Sequence, residues 1–161
     1  MSVTSVDKNP ATLTMSITAT FDASVDEVWT VWADPRKLER WWGPPTYPAT
    51  VLEHELEPGG HVTYVMTGPD GDRHGGWWRV LVVEPPNRLE FEDGFADDAG
   101  EPDPRMPTTI ARVSLSELED GRTTMAIETT FPSMDAMEQM VAMGMEEGIT
   151  LAVGQIDGLL A

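Results

Sequence analysis

Apolar and polar residues alternate strictly near the start of the chain. The apolar members of this alternation are Leu13, Met15, Ile17, Ala19 and Phe21. Serine and threonine occupy the positions between them, so the pattern predicts a strand with one buried face. Residues 1–11 lack a comparable pattern. We therefore expect them to form a flexible N-terminal tail. Residues 12–161 are expected to form a single domain, in keeping with the chain length of 161 residues.

A helical pattern follows this strand. Ser24 with Glu27 three residues later is typical of a capping box at a helix start. The apolar stripe after it consists of Val25, Val28, Trp29 and Trp32. Asp34-Pro35 predicts the helix end, because the residue before a proline avoids the helical region. Residues 38–42 predict a further short helical turn.

Six more short strands are predicted, separated by turns rich in glycine, proline, asparagine and aspartate. They lie at 47–56, 62–66, 77–83, from residue 89 onward, 110–115 and 123–131. The segment 77–83 is apolar on both faces, so the pattern does not decide whether Trp77 or Trp78 points inward. The total is seven strands.

The C-terminal segment 133–160 predicts one long helix that Ser133 can cap. Its apolar face comprises Met137, Val141, Met145, Ala152, Ile156 and Leu159. The element order predicts an α+β fold in which an antiparallel sheet packs on this helix.

Charge and composition narrow the functional classes. There are 28 acidic and 10 basic residues, for a net charge of −18. Nucleic acid and anionic membranes are therefore unfavourable partners, and the charge serves solubility or salt adaptation. Seven acids and no base lie between Glu90 and Asp103, which predicts an exposed loop. Its carboxylate spacing does not match an EF-hand calcium loop.

No catalytic or cofactor motif is evident. The chain has no cysteine, no phosphate-binding loop and no Gly-x-Ser-x-Gly elbow. It has no apolar leader or membrane-spanning run, so we expect a cytoplasmic protein without cofactor.

His54 is the polar residue of greatest interest. It lies between Leu52 and Leu56, whose pattern predicts that it points inward, whereas His61 is predicted to point outward. His54, His61 and His74 therefore do not predict a zinc site. His54 is either a core histidine bonded to Tyr64 or a backbone carbonyl, which we favour, or a polar anchor in a ligand pocket.

Two glycines interrupt the inner face of the predicted C-terminal helix. Gly144 and Gly148 lie one turn apart, with Gln155 near the same stripe. A glycine inside a helix costs about 1 kcal/mol relative to alanine. Close packing of a strand would offset this cost and is the interpretation we favour; the alternative is room for a ligand. Methionines on this face fit either case.

Several motifs together resemble a known family. They are Val28-Trp29-x-x-Trp32-Ala33-Asp34-Pro35, Trp41-Trp42-Gly43-Pro44, Glu57-Pro58-Gly59-Gly60, Gly68-Pro69-Asp70-Gly71 and Glu84-Pro85-Pro86-Asn87. Over residues 13–160 the chain is similar to bacterial homologues of the activator of the ninety-kilodalton heat-shock ATPase, within the START-like (SRPBCC) superfamily. The resemblance implies a helix-grip fold, in which a curved antiparallel sheet wraps a long C-terminal helix around a cavity. It also implies binding of hydrophobic molecules or lipids, cyclase activity, or interaction with a chaperone.

We expect a small hydrophobic or amphipathic ligand between sheet and helix. The expected ligand-binding residues are Trp41, His54, Tyr64, Met66, Trp78, Phe91, Met137, Met145 and Gln155. One alternative is a cyclase-type enzyme with His54 as base and Tyr64 as proton donor. Another alternative is a chaperone-interacting module. A homodimer is compatible with each of these functions.

Overall fold

The computed structural model describes residues 3–97 and 99–160. Eight antiparallel strands form one sheet in the order β1-β2-β8-β7-β6-β5-β4-β3. The strands are β1 (Val3–Asn9), β2 (Thr14–Phe21), β3 (Ala49–His54), β4 (His61–Thr67), β5 (Arg73–Glu84), β6 (Arg88–Ala96), β7 (Thr109–Glu117) and β8 (Thr123–Thr130). The helices are α1 (Val25–Ala33), α2 (Pro35–Trp41), α3 (Met134–Ala142), α4 (Met145–Gly154) and α5 (Asp157–Leu160). The predicted α+β class is confirmed.

The sheet has eight strands rather than the predicted seven. The added strand is β1, which lies within the segment expected to be a flexible tail and pairs with β2 along its length. Its residues are mostly exposed, so no alternation of buried positions marks it in the sequence. In β2 the alternation is as predicted, with every second residue from Met15 to Phe21 buried.

An irregular register in β3 changes the face that its side chains occupy. The pairing with β4 shifts between Val51 and Glu53. Ala49 and Val51, before the shift, are buried, so Leu52 lies on the opposite face and is 53% exposed, contrary to the inward position expected for it. His54, beyond the shift, is half-buried although its parity along the strand is that of Leu52. A bulge of this kind cannot be inferred from strict period-two alternation.

Asp34 joins the two helices that follow β2. It ends α1 and begins α2, and its Oδ1 accepts a hydrogen bond from the backbone N–H of Arg36 at 2.9 Å. The capping pair at the start of α1 also forms, because the Glu27 backbone N–H donates to Ser24 Oγ at 3.3 Å. The helix end predicted at Asp34-Pro35 is confirmed, and the short second helix begins at Pro35.

The C-terminal segment is three helices rather than one long helix. The break between α3 and α4 falls at Gly144, whose φ is +90°. This left-handed conformation is inexpensive for glycine alone. A second interruption separates α4 from α5 at Gln155 and Ile156. The periodic apolar face continues across both breaks, which is why the pattern alone predicts a continuous helix.

The acidic segment 90–103 is only partly a loop. Glu90, Glu92 and Asp93 belong to β6, where Arg79 and Arg88 form ion pairs with Glu92 and Glu90. No helix in the described part of the chain is long and apolar enough to cross a membrane.

Candidate functional site

A cavity of about 330 Å³ lies between the sheet and helices α3 and α4. Its lining is mainly apolar and comprises Trp42, Pro44, Tyr64, Met66, Asp93, Phe95, Ala111, Ile127, Thr129, Met140, Met143, Gly144, Met145, Gly148 and Ile149. Strands β4, β6, β7 and β8 supply one wall, and the joint between α3 and α4 supplies the opposite wall. The volume is near the lower end of the ~300–1,000 Å³ range of small-molecule sites.

A wider depression of about 850 Å³ adjoins the cavity. We call it the vestibule. Four residues line both spaces, namely Pro44, Met66, Phe95 and Met143. The vestibule also contains charged residues such as Arg73 and Asp103. The apolar cavity therefore adjoins an open, mainly apolar surface that carries a few charged side chains.

Three of the nine expected ligand-binding residues line the cavity. These are Tyr64 and Met66 on β4 and Met145 at the start of α4. Their contact with a ligand stays a prediction.

Four other expected residues lie in the protein's own core instead. Trp41, Trp78 and Phe91 are fully buried, and the Trp78 and Phe91 rings stack with centroids 3.9 Å apart. Met137 packs in a separate buried cluster with Met15 and Phe131. They are absent from the cavity lining because neighbouring side chains already cover them. The structure also shows that Trp78, not Trp77, points inward.

The two remaining expected residues bind backbone carbonyls. His54 Nε2 donates to the carbonyl of Trp32 at 3.0 Å, and Gln155 Nε2 donates to the carbonyl of Gly43 at 2.7 Å. His54 thus makes the hydrogen bond to a backbone carbonyl of the interpretation that we favoured, although its side chain is only half-buried. Both side chains hold helices to the rest of the domain, and neither lines the cavity.

Gly148 faces the cavity without close packing against the sheet. A Cβ atom built on it would have no neighbour within 4 Å outside its own helix turn. The close approach of a strand that we favoured from the sequence is therefore wrong at this position. Gly148 leaves space, and Gly144 serves the break between α3 and α4.

A tyrosine–aspartate pair is the main polar feature of the cavity. The Tyr64 hydroxyl donates to Asp93 Oδ1 at 3.3 Å, although the two residues are on β4 and β6. The Tyr64 ring reaches across β5 because residue 76 is glycine. A Cβ atom at Gly76 would overlap the end of the Tyr64 ring.

Burial shifts the pKa of both groups in this pair. Desolvation raises the pKa of Asp93 from 3.8 to about 7, and the hydrogen bonds from Tyr64 and from the Gly94 backbone oppose this shift only in part. Desolvation also raises the pKa of the Tyr64 phenol well above its ordinary value, and the charge of Asp93 adds to the effect. At neutral pH, Asp93 is consequently near the midpoint of its titration while Tyr64 keeps its proton.

Two buried indole N–H groups accompany the pair. Nε1 of Trp42 and Nε1 of Trp78 have no hydrogen-bond partner among the described residues. Both indoles act to lower the pKa of Tyr64, against the larger effect of burial. An N–H group beside the phenol oxygen lowers the pKa because it stabilises the negative charge of the phenolate, even without a complete hydrogen bond.

Asp93 and Trp42 line the cavity but are not among the residues expected from the sequence. Asp93 has the same strand parity as the buried Leu89 and Phe91, so extending that alternation by one step would have placed it inward. The acid-rich stretch 90–103, to which it belongs, predicts an exposed loop instead. Trp42 lines the cavity where Trp41 was expected, because Trp41 points into the core and donates its Nε1 hydrogen to the carbonyl of Val31 at 2.8 Å.

The described residues offer little for metal chemistry. Within 3–97 and 99–160, no group of three histidine or carboxylate side chains is arranged to hold a metal ion. His61 and His74 are exposed, and His74 contacts Asp72 at 3.1 Å. The cavity can bury the apolar part of a ligand, and Asp93, Tyr64 and Thr129 place a carboxyl group, a phenol and a hydroxyl group in its lining.

The fold and much of the sequence recur in solved structures. A solution NMR structure of an Arthrobacter aurescens protein is 52% identical, with a TM-score of 0.94 over 98% of this chain and 91% of that one. The crystal structure of protein Ms6760 from Mycobacterium smegmatis is 44% identical, with a TM-score of 0.91 over 99% and 97% of the two chains. DynU16, from the dynemicin biosynthetic locus, is 20% identical with a TM-score of 0.63 over 90% of this chain and 47% of that one, a likeness of fold alone.

Sequence comparison gives one family. No curated protein matches the chain. The model of the family described as "Activator of Hsp90 ATPase homolog 1-like protein" matches residues 22–161, which include every element from α1 onward. The chain therefore belongs to the activator of Hsp90 ATPase homolog 1-like family.

Proposed function

We propose that the protein binds a small amphipathic molecule in the cavity between its sheet and helices α3 and α4. The observation that carries this proposal is the space at Gly148, where the fold tolerates a glycine inside a helix and leaves the volume beside it unfilled. A helix glycine costs about 1 kcal/mol relative to alanine. Burial of a guest is a direct way to offset that cost.

The lining matches such a guest in chemistry. Burial of apolar ligand surface against Met140, Met145 and Ile149 contributes about 25 cal/mol per Å² removed from water. Tyr64 and Asp93 supply directed polar contacts at one place in an otherwise apolar wall. Unbranched methionine side chains can adapt to guests of different shape.

The cyclase alternative has less support. It requires His54 and Tyr64 to act on one substrate, but His54 is engaged with the carbonyl of Trp32 and does not line the cavity. The test of this alternative is turnover of an enolisable substrate that disappears in both His54→Ala and Tyr64→Phe while the fold stays intact. Turnover that survives in His54→Ala would contradict it.

The chaperone alternative follows from the family description alone. The sequence feature that favours it is the acidic segment 90–103, because an acidic face could contact a partner protein. Several carboxylates of this segment are already paired with arginines. It predicts a complex with a chaperone that is unaffected when the cavity is filled by a larger side chain at residue 148.

Native mass spectrometry of freshly purified protein tests cavity binding. We expect a co-purifying small molecule in the wild-type protein and its loss in Gly148→Leu, because the new side chain occupies the cavity. Gly158→Leu is the matched control, since Gly158 is exposed and outside the cavity lining. Retention of the molecule in Gly148→Leu would place it elsewhere and contradict the proposal.

A further inference from the structure

Asp93 puts an acidic group into an apolar cavity without a basic partner. Its polar contacts are the Tyr64 hydroxyl and the Gly94 backbone N–H. Among residues 3–97 and 99–160, no lysine, arginine or histidine forms an ion pair with it. A carboxylate has about four acceptor sites, so this one can accept further hydrogen bonds from a ligand.

The residues directly opposite Asp93 on the neighbouring elements are uncharged. Its register partners are Trp78 on β5 and Thr109 on β7, and Tyr64 reaches it from β4. The helical wall opposite contributes Met145 and Gly148. The vestibule and the start of α4 carry Arg73, His74, Asp97, Asp103, Glu146 and Glu147. The strands around Asp93 carry further charges that form ion pairs with one another, namely Arg79 with Glu92, Arg88 with Glu90, and Arg112 with Glu90 and Glu128. None of them is a cause of the perturbed titration of Asp93.

Aromatic rings line the cavity beside this carboxyl group. The rings of Trp42 and Tyr64 have centroids 6.0 Å apart and are nearly perpendicular. Aromatic faces attract cations within about 6 Å, and most strongly when water is excluded. The net charge of −18 raises the local concentration of cations around the protein and disfavours anions.

We propose that the cavity selects amphiphiles that carry a protonated amine. The ammonium group pairs with the Asp93 carboxylate beside the Trp42 and Tyr64 rings, while the apolar part lies against Met140 and Ile149. This inference rests on the proposed function and specifies its ligand class. An anionic head group would oppose Asp93 with a like charge, and a hydroxyl head would form a hydrogen bond without charge compensation.

Three probes with the same chain and different head groups test the inference: 1-octylamine, 1-octanol and octanoate. Titration calorimetry with the full chain at pH 8 should show octylamine binding roughly tenfold or more tighter than octanol, because hydrogen bonds to charged groups are the stronger ones. Octanoate should bind most weakly. Equal or tighter binding of octanol would overturn the amine inference and leave cavity binding intact.

The pH dependence provides a second readout. An alkylammonium resembles the lysine side chain, with a pKa of about 10.4, and stays charged from pH 6 to pH 8. Asp93, with a pKa of about 7, loses most of its negative charge over the same interval as the pH falls. Octylamine binding should therefore weaken by about tenfold from pH 8 to pH 6, whereas octanol binding should not. The opposite dependence would contradict the inference.

Asp93→Asn removes the charge and keeps the shape. We expect it to lose roughly 10- to 100-fold in octylamine affinity and to keep its affinity for octanol, which also shows that the cavity is intact. Tyr64→Phe retains the carboxylate and should keep the preference for the amine, and Glu147→Gln is the control for a nearby surface charge. An unchanged preference in Asp93→Asn would overturn the inference, whereas failure of every probe to bind any variant would overturn cavity binding itself.

Discussion

The space between sheet and helices is filled at one end and open at the other. At the filled end, which we call the aromatic core, the Trp32 ring lies within 6.3 Å of Trp41, Trp42, Trp78 and Phe91, measured between ring centroids. At the open end, methionines and glycines of α3 and α4 face the cavity. One architecture thus gives a solid core or a binding space according to the volume of the side chains that the helices present.

Trp42 connects these two regions. Its ring lies against Trp41 and Trp78 in the aromatic core, at centroid distances of 5.4 and 4.9 Å. It also lines the cavity. The aromatic core therefore forms the end wall of the cavity, and damage to the core should affect the cavity more than the reverse.

The largest effect is expected from Trp32→Ala. Trp32 is fully buried at the centre of the aromatic core, so removal of its ring should lower the free energy of unfolding by roughly 3–5 kcal/mol. Urea denaturation measures this change. Leu52→Ala, at a position 53% exposed, is the control and should change stability by less than about 0.5 kcal/mol. Similar losses in both variants would contradict the contrast between core and surface.

Asp93→Asn should change the pH dependence of stability. The carboxyl binds its proton more tightly in the folded protein, with a pKa of about 7, than in the unfolded chain, for which the ordinary value is 3.8. The wild type therefore loses stability as the pH rises from about 4 to about 7, and Asp93→Asn does not lose this contribution. The variant should be more stable than the wild type by roughly 2–4 kcal/mol at pH 8 and similar to it near pH 4.

Urea denaturation at both pH values measures this difference. Asp70→Asn is the control at an exposed aspartate, and its difference from the wild type should not grow with pH. A stability difference for Asp93→Asn that is the same at pH 4 and pH 8 would show that the carboxyl is not desolvated.

Gly76→Ala should displace Tyr64. The added methyl group would overlap the Tyr64 ring, so the ring must move and its contact with Asp93 is lost. We expect a loss of about 1–3 kcal/mol in stability, together with a changed near-ultraviolet circular dichroism spectrum. Gly158→Ala adds a methyl group with no neighbour within 4 Å and should leave the spectrum unchanged. An unaltered spectrum in Gly76→Ala would contradict the close approach.

The smallest effects should have opposite signs at the two glycines of the open end. Gly148→Ala adds a methyl group into space within α4 and should stabilise the protein by about 0.5–1 kcal/mol. Gly144→Ala should destabilise it by about 1–2 kcal/mol, because its φ of +90° is unfavourable for any residue with a Cβ. Thermal unfolding of both variants measures the two changes in stability. Changes of the same sign would contradict the expected difference between the two glycines.

Most of the sheet and the first helices could be predicted from local patterns. The alternation in β2, the capping pair Ser24 and Glu27 and the break at Pro35 each depend on neighbouring residues alone. Strand β1 could not be predicted, since its stability comes from pairing with β2 rather than from a buried face of its own. The left-handed turn at Gly144 was hidden by a continuous apolar period.

The site was less predictable for a three-dimensional reason. Inward orientation is a local property of a strand, and the prediction was correct for Tyr64 and Phe91. Between Trp77 and Trp78 the pattern left the inward residue open. Whether an inward residue meets a helix or a cavity depends on which side chains lie opposite, and those come from distant parts of the chain. Asp93 was missed because it belongs to a stretch with seven acids and no base, residues 90–103, which predicts an exposed loop. Its neighbours in space are apolar and aromatic.

The turn at Gly144 has a consequence for how the entrance can vary. It leaves Met143, 56% exposed, between the vestibule and the cavity and lining both. Among the four residues that line both spaces, Met143 has an unbranched, adaptable side chain next to the backbone turn at Gly144. If the cavity binds the proposed ligand, exchanges at this single position would change which molecules can reach it while the framework stays the same.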